Sequence, residues 1–390
     1  MLVYFLVVFG LVILAELIKG LSANGTPPVL QKFAWQMDLA RLMWTQIGAI
    51  RAVGGALLVV LAVLLSAEER LIALLSAVPL AAVWGGIYWL FNRFWVGRYK
   101  FPAISVKRFV KAEENGVDLD IQVIGVDHDG GQKAYPVNMI FFHHQIPDDI
   151  AGQPIWVTYC GLCRSGRVYD LMFDGKPLSF SLVGAITFNA VFRDDRTGSW
   201  WRQETGEAAK GPLAGRVLDD FPFVQMSLKN WLAKHPDSQV LQYDPAFSKR
   251  YNFINKLLNY GASLPGWHMQ KTPPMVTGVS IGGAARAYDW KQLQKRKLVQ
   301  DRLADMPLLL IAEPDGDAAL VYDRCVQGRE LEFDMTEDGL RDTETGSRWT
   351  YWGECTEGPL MGEQLTQVQS YQQFLRAWIS FHEGSTFYNF

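Results

Sequence analysis

Of the four cysteines in the 390 residues, two stand at a spacing that supports chemistry: Cys160-Gly161-Leu162-Cys163. A Cys-x-x-Cys pair holds two thiols close enough to share a metal ion or to close a disulfide. His143 and His144 lie about 16 residues upstream. If two neighbouring strands pair, an imidazole from there reaches the thiols, and two Cys with one or two His make a zinc, copper or iron site. A thiol-redox reading competes with it. After Cys163 come Arg164-Ser165-Gly166 and then a strand, unlike a thioredoxin-type pair at a helix N-terminus, although Arg164 can stabilise a thiolate. A third reading is a pair that is chemically inert. Arg164 in place of a His after Cys163 disfavours covalent haem attachment. Asn189, Gln203 and Trp201 are candidates for the shell around the site. Cys325 and Cys355 are singletons, expected as small buried core residues. No nucleophile elbow, phosphate loop or recognisable pair of catalytic carboxylates occurs, so neither a nucleotide cofactor nor a substrate is indicated.

The elements that must position this pair are short strands. From about Val117 the chain alternates apolar and polar residues between Gly and Asp turns. Val157-Thr158-Tyr159 leads into the first cysteine. Arg167 to Ser181 reads as a hairpin around Asp174-Gly175, and Ala190 to Gln203 as another turning at Asp195 to Gly198. Helices are expected at Ser227–Lys234 and 370–381.

The strand region also repeats itself. Ile124-Gly125-Val126 returns as Thr277-Gly278-Val279, and Val168-Tyr169-Asp170 as Val321-Tyr322-Asp323, at one offset of 153 residues. Thr197-Gly198-Ser199 and Trp201 then match Thr345-Gly346-Ser347 and Trp349. Trp231 and His235 match Trp378 and His382. Two tandem homologous units follow, 118–245 and 272–390, joined by an ordered linker over 246–271. The paired His residues end the closing helices and are expected to favour the helix dipole or cap a carbonyl. The cysteine pair is not repeated: Glu313 and Gly316 stand at the same offset, and Arg296 and Lys297 replace the two His. One unit is equipped for chemistry and the other is a degenerate partner.

The first 100 residues have another character. Mean hydropathy is +0.02 over the whole chain, and the apolar excess lies almost entirely before residue 92. Runs at about 1–18, 46–67 and 71–91 read as three transmembrane helices, the last two forming a hairpin around Glu68-Glu69-Arg70. Trp89, Phe91, Phe94, Trp95 and Tyr99 mix with Arg93, Arg98 and Lys100 in an interfacial belt. A cleaved signal peptide fits the first run less well, because no basic stretch precedes it. The lipid bilayer is thus a partner, while a net charge of −3 gives no basic excess for nucleic acid. Lys and Arg concentrate on the side of the soluble region, which by the positive-inside rule places that region in the cytoplasm.

These residues together resemble a bacterial and archaeal family, domain of unknown function 3179. The resemblance is carried by Val157-Thr158-Tyr159-Cys160-Gly161-Leu162-Cys163 and Val168-Tyr169-Asp170. Asn189, Arg196 to Gln203, Gly206, Gly211-Pro212-Leu213 and Trp231 to Pro236 extend it. It covers most of 118–290 and the second copy more faintly. Family members show Trp-His-Glu before the cysteine strand; here His143-His144-Gln145 stands there, so His144 takes the His and Gln145 departs from the Glu. Many members have Pro at the position of Gly161. The resemblance implies a Cys–Cys–His site and an exported domain, against the Lys/Arg count, but no established reaction.

The sequence therefore leads to an N-terminal membrane anchor followed by a mainly β (α+β) region in two tandem units. It belongs in the bacterial inner membrane, with the soluble part leaning to the periplasm. A copper or zinc site on Cys160, Cys163, His144 and His143 is the first functional expectation. A thiol–disulfide oxidoreductase on Cys160 and Cys163 is the second, and a non-enzymatic binding or scaffold module with grooves lined by Trp200, Trp201 and Trp349 is the third.

Overall fold

The computed structural model describes residues 1–23, 33, 35–259, 274–313, 318–337 and 339–390. The chain forms two compact units, one of Met1–Pro102, Ser179–Arg202 and Glu207–Arg216, the other of Ala103–Leu178, Gln203–Gly206 and Val217–Phe390.

The first unit begins with three helices long and apolar enough to cross a membrane: α1 (Leu2–Ala23), α2 (Trp35–Leu64) and α3 (Ala67–Trp89), the last running on as helical backbone to Phe94. α1 and α3 outrun their apolar runs, whereas α2 starts well before its run and ends at Leu64. α2 begins at Trp35 because its first turns have a protein surface to pack on. Ser66 caps α3, accepting from the Glu69 amide while the Glu69 carboxylate accepts from the Ser66 amide. Inside the bundle Glu16 is fully buried, and the Arg51 guanidinium donates to it at 2.5 Å. Asn92 bridges both, donating to Glu16 and accepting from Arg51, as a charge in an apolar bundle requires.

The same unit carries a four-stranded sheet whose hairpins fall near the expected positions. Its strands, named after the earlier ones below, are β6 (Phe180–Ile186), β7 (Asn189–Asp194), β8 (Trp200–Arg202) and β9 (Ala208–Lys210). Val183, Ile186, Val191 and Trp200 pack against Ala23, Met37 and Ala40 at the helix ends. Trp44 meets Trp200 edge-on at 6.1 Å.

The second unit is mainly β. Its N-terminal part runs β1 (Gln122–His128), β2 (Gly131–Pro136), α4 (Val137–His143), β3 (Gln145–Ile150), β4 (Gln153–Cys160) and β5 (Ser165–Asp170). After the sheet just described, the chain returns as β10 (Val224–Ser227), α5 (Leu228–Lys234) and β11 (Gln239–Leu241). Then α6 (Ser248–Asn259) occupies the first part of the expected linker, and residues 260–271 of that linker lie outside the described residues. The C-terminal part runs β12 (Met275–Ile281), β13 (Ala284–Asp289), α7 (Trp290–Arg296), β14 (Leu298–Leu303), β15 (Met306–Ala312) and β16 (Ala319–Asp323). It continues with β17 (Phe333–Thr336), β18 (Gly339–Asp342), β19 (Arg348–Trp349), β20 (Cys355–Glu357), β21 (Thr366–Val368), β22 (Ser370–Phe374) and α8 (Leu375–Phe381). The expected helix over 370–381 is thus half strand. Its first five residues pair with β12 from Met275 to Val279, and helix begins only at Leu375.

Local contacts recur along the chain. Tyr135 donates to Asp148 at 2.8 Å, and Tyr288 to Asp301 at 2.7 Å. The Trp201 indole donates to Asp194 at 2.9 Å, and Trp349 to Asp342 at 2.9 Å. Trp231 donates to Ser238 and Trp378 to Ser385, and each indole lies where a Cβ on Gly125 or Gly278 would stand. His235 and His382 follow α5 and α8, with their rings 4.1 and 3.6 Å from those of Trp231 and Trp378. The main core joins Val123, Met226 and Trp231 to Leu309, Tyr322, Phe333 and Trp349. Each such fully buried side chain contributes on the order of 1.5–3 kcal/mol of transfer free energy.

Of the cysteines expected in the core, Cys355 is buried but Cys325 is exposed. Cys325 lies in a two-residue strand, Cys325–Val326, with Val326 the inward residue, so the alternation turns the thiol outward.

Candidate functional site: a cysteine hairpin tip

β4 and β5 are antiparallel, and the Cys160–Ser165 pair closes a turn of Gly161, Leu162, Cys163 and Arg164. Arg164 takes a left-handed backbone (φ 57°), which a tight turn back into a strand imposes. Gly161 is demanded by space, because a Cβ there would lie 2.4 Å from the Phe141 ring of α4. Cys160 and Cys163 are 1% and 0% exposed, and neither is in a disulfide.

The pleat sorts the neighbours. Thr158, Cys160, Ser165, Arg167 and Tyr169 share one face, as the pairs Thr158–Arg167 and Cys160–Ser165 require. That face is polar and buried. The Ser165 hydroxyl donates to Glu204 at 2.5 Å, and Arg167 forms an ion pair with the same carboxylate while donating to the Glu204 carbonyl at 2.8 Å. Gln203 donates to Thr158 Oγ1 at 3.0 Å and to the Ser165 carbonyl at 3.2 Å. From the C-terminal part, Gln373 accepts from Arg167 at 3.2 Å, and the guanidinium lies 3.6 Å over the Tyr371 ring. Burial raises the pKa of Glu204, and Arg167, Ser165 and Gln373 only partly offset it. On the other face Tyr159 packs on Phe141, ring centroids 6.0 Å apart; burial raises its hydroxyl to about 12 against the pull of Arg164.

The tip itself docks on the start of α8. The Phe374 amide donates to the Cys163 carbonyl at 2.8 Å, and Arg376 donates to the Leu162 carbonyl at 2.8 Å. Arg376 sits close enough to interact electrostatically with both cysteines: burial lowers its pKa, and Cys163 and Cys160 raise it in part. Arg164 and Arg376 border one ring, their guanidinium carbons 5.9 and 5.3 Å from the centre of Phe374. Both arginines are half-buried.

The histidines go elsewhere in part. His143 is buried at the end of α4, its Nε2 at 2.7 Å from the Tyr251 hydroxyl of α6 and its ring among Phe142, Phe247 and Tyr251. His144 caps α4 with φ 65°, and its carbonyl accepts from the Tyr159 amide at 3.2 Å. Strand pairing thus brings the His144 backbone beside Tyr159, one residue before Cys160. Among the described residues no three His, Cys, Asp or Glu side chains gather as a metal-ligand group. Of the proposed shell, Gln203 reaches the tip, whereas Asn189 and Trp201 are buried on the sheet of the first unit.

Arg376, Gln373, Arg167 and Glu204 went unrecognised in the sequence. Glu204 had a signal, since it directly follows the Arg196 to Gln203 stretch. Arg376 had none, being more than 200 residues from the tip with nothing local to link them.

Comparisons with curated proteins and with solved structures gave no match. A family model described as a protein of unknown function matches residues 98–385, which takes in the hairpin tip and the helix it docks on, and the chain belongs to that family, DUF3179.

Proposed function

We propose that the chain is a membrane-anchored redox protein in which Cys160 and Cys163 form a reversible dithiol/disulfide couple. The observation that carries this reading is the Arg376 guanidinium, which docks on the hairpin tip and interacts electrostatically with both cysteines. Positive charge favours a thiolate, the reactive form, and opposes a bound cation. One thiolate attacks a sulfur of an incoming disulfide, breaks its S–S bond and releases one thiolate. The other thiolate attacks the mixed disulfide, closes Cys160–Cys163 and releases the second. Two electrons pass to the incoming disulfide, and the two protons from the cysteines go to the released thiols. Titration against dithiothreitol redox buffers tests this, with a single two-electron transition expected and Cys160→Ser abolishing it. Thiols that stay reduced throughout overturn it.

A copper or zinc site is the second reading, and the register placing His144 beside Tyr159 favours it. It requires stoichiometric metal in the purified protein that is lost in Cys160→Ser and reduced in His144→Ala.

The recurring contacts support two tandem homologous units, 118–245 and 272–390, the second having lost the cysteine pair. The family resemblance supports a soluble region on the periplasmic face of a bacterial inner membrane. Alkaline phosphatase and fluorescent-protein fusions at the C-terminus test the side, with phosphatase activity expected.

A further inference from the structure

Within the second unit lies a cavity of about 410 Å³ that no residue of the cysteine turn lines. That volume is in the range of small-molecule sites. Its lining comes from β1, from the start of β10 and the segment before it, and from the C-terminal end of α5. The other contributors are β16, β21 and the segment between β19 and β20. Phe221, Phe223, Trp231 and Tyr322 are buried and make the base aromatic, and Trp352 is half-buried. Asp127, Asp220, Gln364 and Gln367 are exposed, so the cavity opens to solvent over polar side chains.

The protein satisfies these polar groups only in part. Among the described residues the Gln367 amide and the Trp352 indole N–H have no hydrogen-bond partner. Gln364 donates to the Trp352 and Leu365 carbonyls at 2.8 and 3.2 Å, which leaves its own side-chain oxygen open. Asp220 accepts from the Tyr371 hydroxyl at 3.5 Å, the limit of hydrogen-bonding distance. One oxygen of Asp127 accepts from Gln132 at 3.2 Å and lies 3.5 Å from His235 Nδ1, and the other is open. The charges give no strong field of either sign. Two carboxylates stand against the Lys234 ammonium, which donates to Glu354 beside the cavity. Burial lowers the pKa of His235 against the pull of Asp127, so the ring is neutral at pH 7.

We propose that this cavity binds a neutral carbohydrate of one or two rings, packed on Trp352 and hydrogen-bonded by Gln364, Gln367, Asp127 and Asp220. An anion would face two carboxylates. An alkylammonium would face Lys234 and leave the indole and amide N–H groups unmatched. A hydroxyl both donates and accepts, as a Gln amide does, so a hydroxyl-rich ligand meets every open group. The C–H face of a sugar ring finds its apolar counterpart in the aromatic residues. The site is independent of the redox reading, since no thiol takes part.

Saturation-transfer NMR on the full chain tests it, in octaethylene glycol monododecyl ether because a detergent with a sugar headgroup would compete. The probes are glucose, galactose, N-acetylglucosamine and cellobiose, with choline as a cation and gluconate as an anion. Transfer to at least one of the sugars is expected, and to neither ion. Trp352→Ala is expected to weaken binding of that sugar at least about tenfold, the loss typical of a central aromatic anchor. Gln367→Ala is expected to weaken it about three- to tenfold, as the loss of one or two neutral hydrogen bonds does. Gln367 has no protein partner to lose, so that variant should unfold at the wild-type denaturant midpoint and separates binding from folding. No transfer to any of the sugars overturns the proposal, as does transfer to choline or gluconate as strong as to a sugar. Sugar binding that both variants leave unchanged overturns it too.

Discussion

The two hairpin tips of the second unit make the instructive comparison. The β4–β5 tip ends in Cys160 paired with Ser165 and sits on the start of α8, where Arg376 meets the thiols. Where β15 ends, the Glu313 amide donates to the Ala318 carbonyl at 2.8 Å, and Glu313 lies against the start of α5. There the Glu313 carboxylate is fully buried and accepts from Ser227 and from Asn230 in the first turn. The cysteine tip and Glu313 thus each meet the start of a helix from the other half, with opposite electrostatics. At one, cationic side chains face groups that can become anionic; at the other, a fixed carboxylate faces neutral donors and a helix N-terminus. Similar docking contacts thus carry a cysteine pair in one half and a buried carboxylate in the other.

The sharpest way to break the comparison is to remove the cysteines, on which the proposed couple depends. Cys160→Ser or Cys163→Ser is expected to abolish the two-electron transition entirely in a dithiothreitol titration. Cys325→Ser and Cys355→Ser should leave its midpoint where it was, since those thiols lie on other strands. A transition that persists in Cys160→Ser would assign the couple to different sulfurs.

The next effect is on stability and concerns the faces behind the tips. Arg167 and Glu204 are a buried ion pair behind the first tip, and Leu320 stands at the matching offset in the second half, in the apolar core. Breaking a buried pair from one side strands the other charge, so Arg167→Leu is expected to cost about 3–5 kcal/mol in denaturant unfolding. Glu204→Gln with Arg167→Leu removes both charges and should recover much of that loss. If Arg167→Leu alone costs under about 1 kcal/mol, the network is not the rigid backing described.

How much of this contrast could be read in the sequence follows from the range of each interaction. The cysteine pair at a strand end, the absence of a helix after it, and the replacement of Cys160 by Glu313 are local or repeat-based, and pattern exposes them. The three apolar helices are equally legible, because about 20 apolar residues in a row have few other uses. What could not be read is which helix each tip meets. Arg376, Gln373 and Tyr371 reach the tip by β22 pairing with β12, a tertiary choice that leaves no trace near residue 160. The two histidines show the opposite error. Their spacing suited a ligand pair, yet α4 ends between them, and one step of helix turns His143 toward Tyr251.

A smaller effect is expected at Glu313. Glu313→Gln keeps the shape and removes the charge, weakening charge-assisted bonds to Ser227 and Asn230 by about 1–3 kcal/mol in denaturant unfolding. The redox midpoint should not move, because the second tip carries no thiol. A shifted midpoint would show that the two tips are coupled through the core rather than parallel copies of one dock.

The smallest effect is a pH dependence at a contact shared by both halves. Burial pushes the Asp148 carboxyl up, but hydrogen bonds from Lys107, Tyr135 and Lys133 prevail and hold its pKa below the ordinary aspartate value. A carboxyl depressed in the folded state binds fewer protons there than in the unfolded chain near its unfolded pKa. Its contribution is therefore complete above the ordinary aspartate range and is lost as pH falls through the depressed value. In acid unfolding, Asp148→Asn should flatten this part of the stability curve and leave the neutral region parallel to wild type. Tyr135→Phe removes one of the three donors and should move the loss toward higher pH without abolishing it. An acid limb unchanged in Asp148→Asn would mean that the Tyr135–Asp148 contact is held by packing, and that its recurrence as Tyr288–Asp301 reflects shape rather than charge.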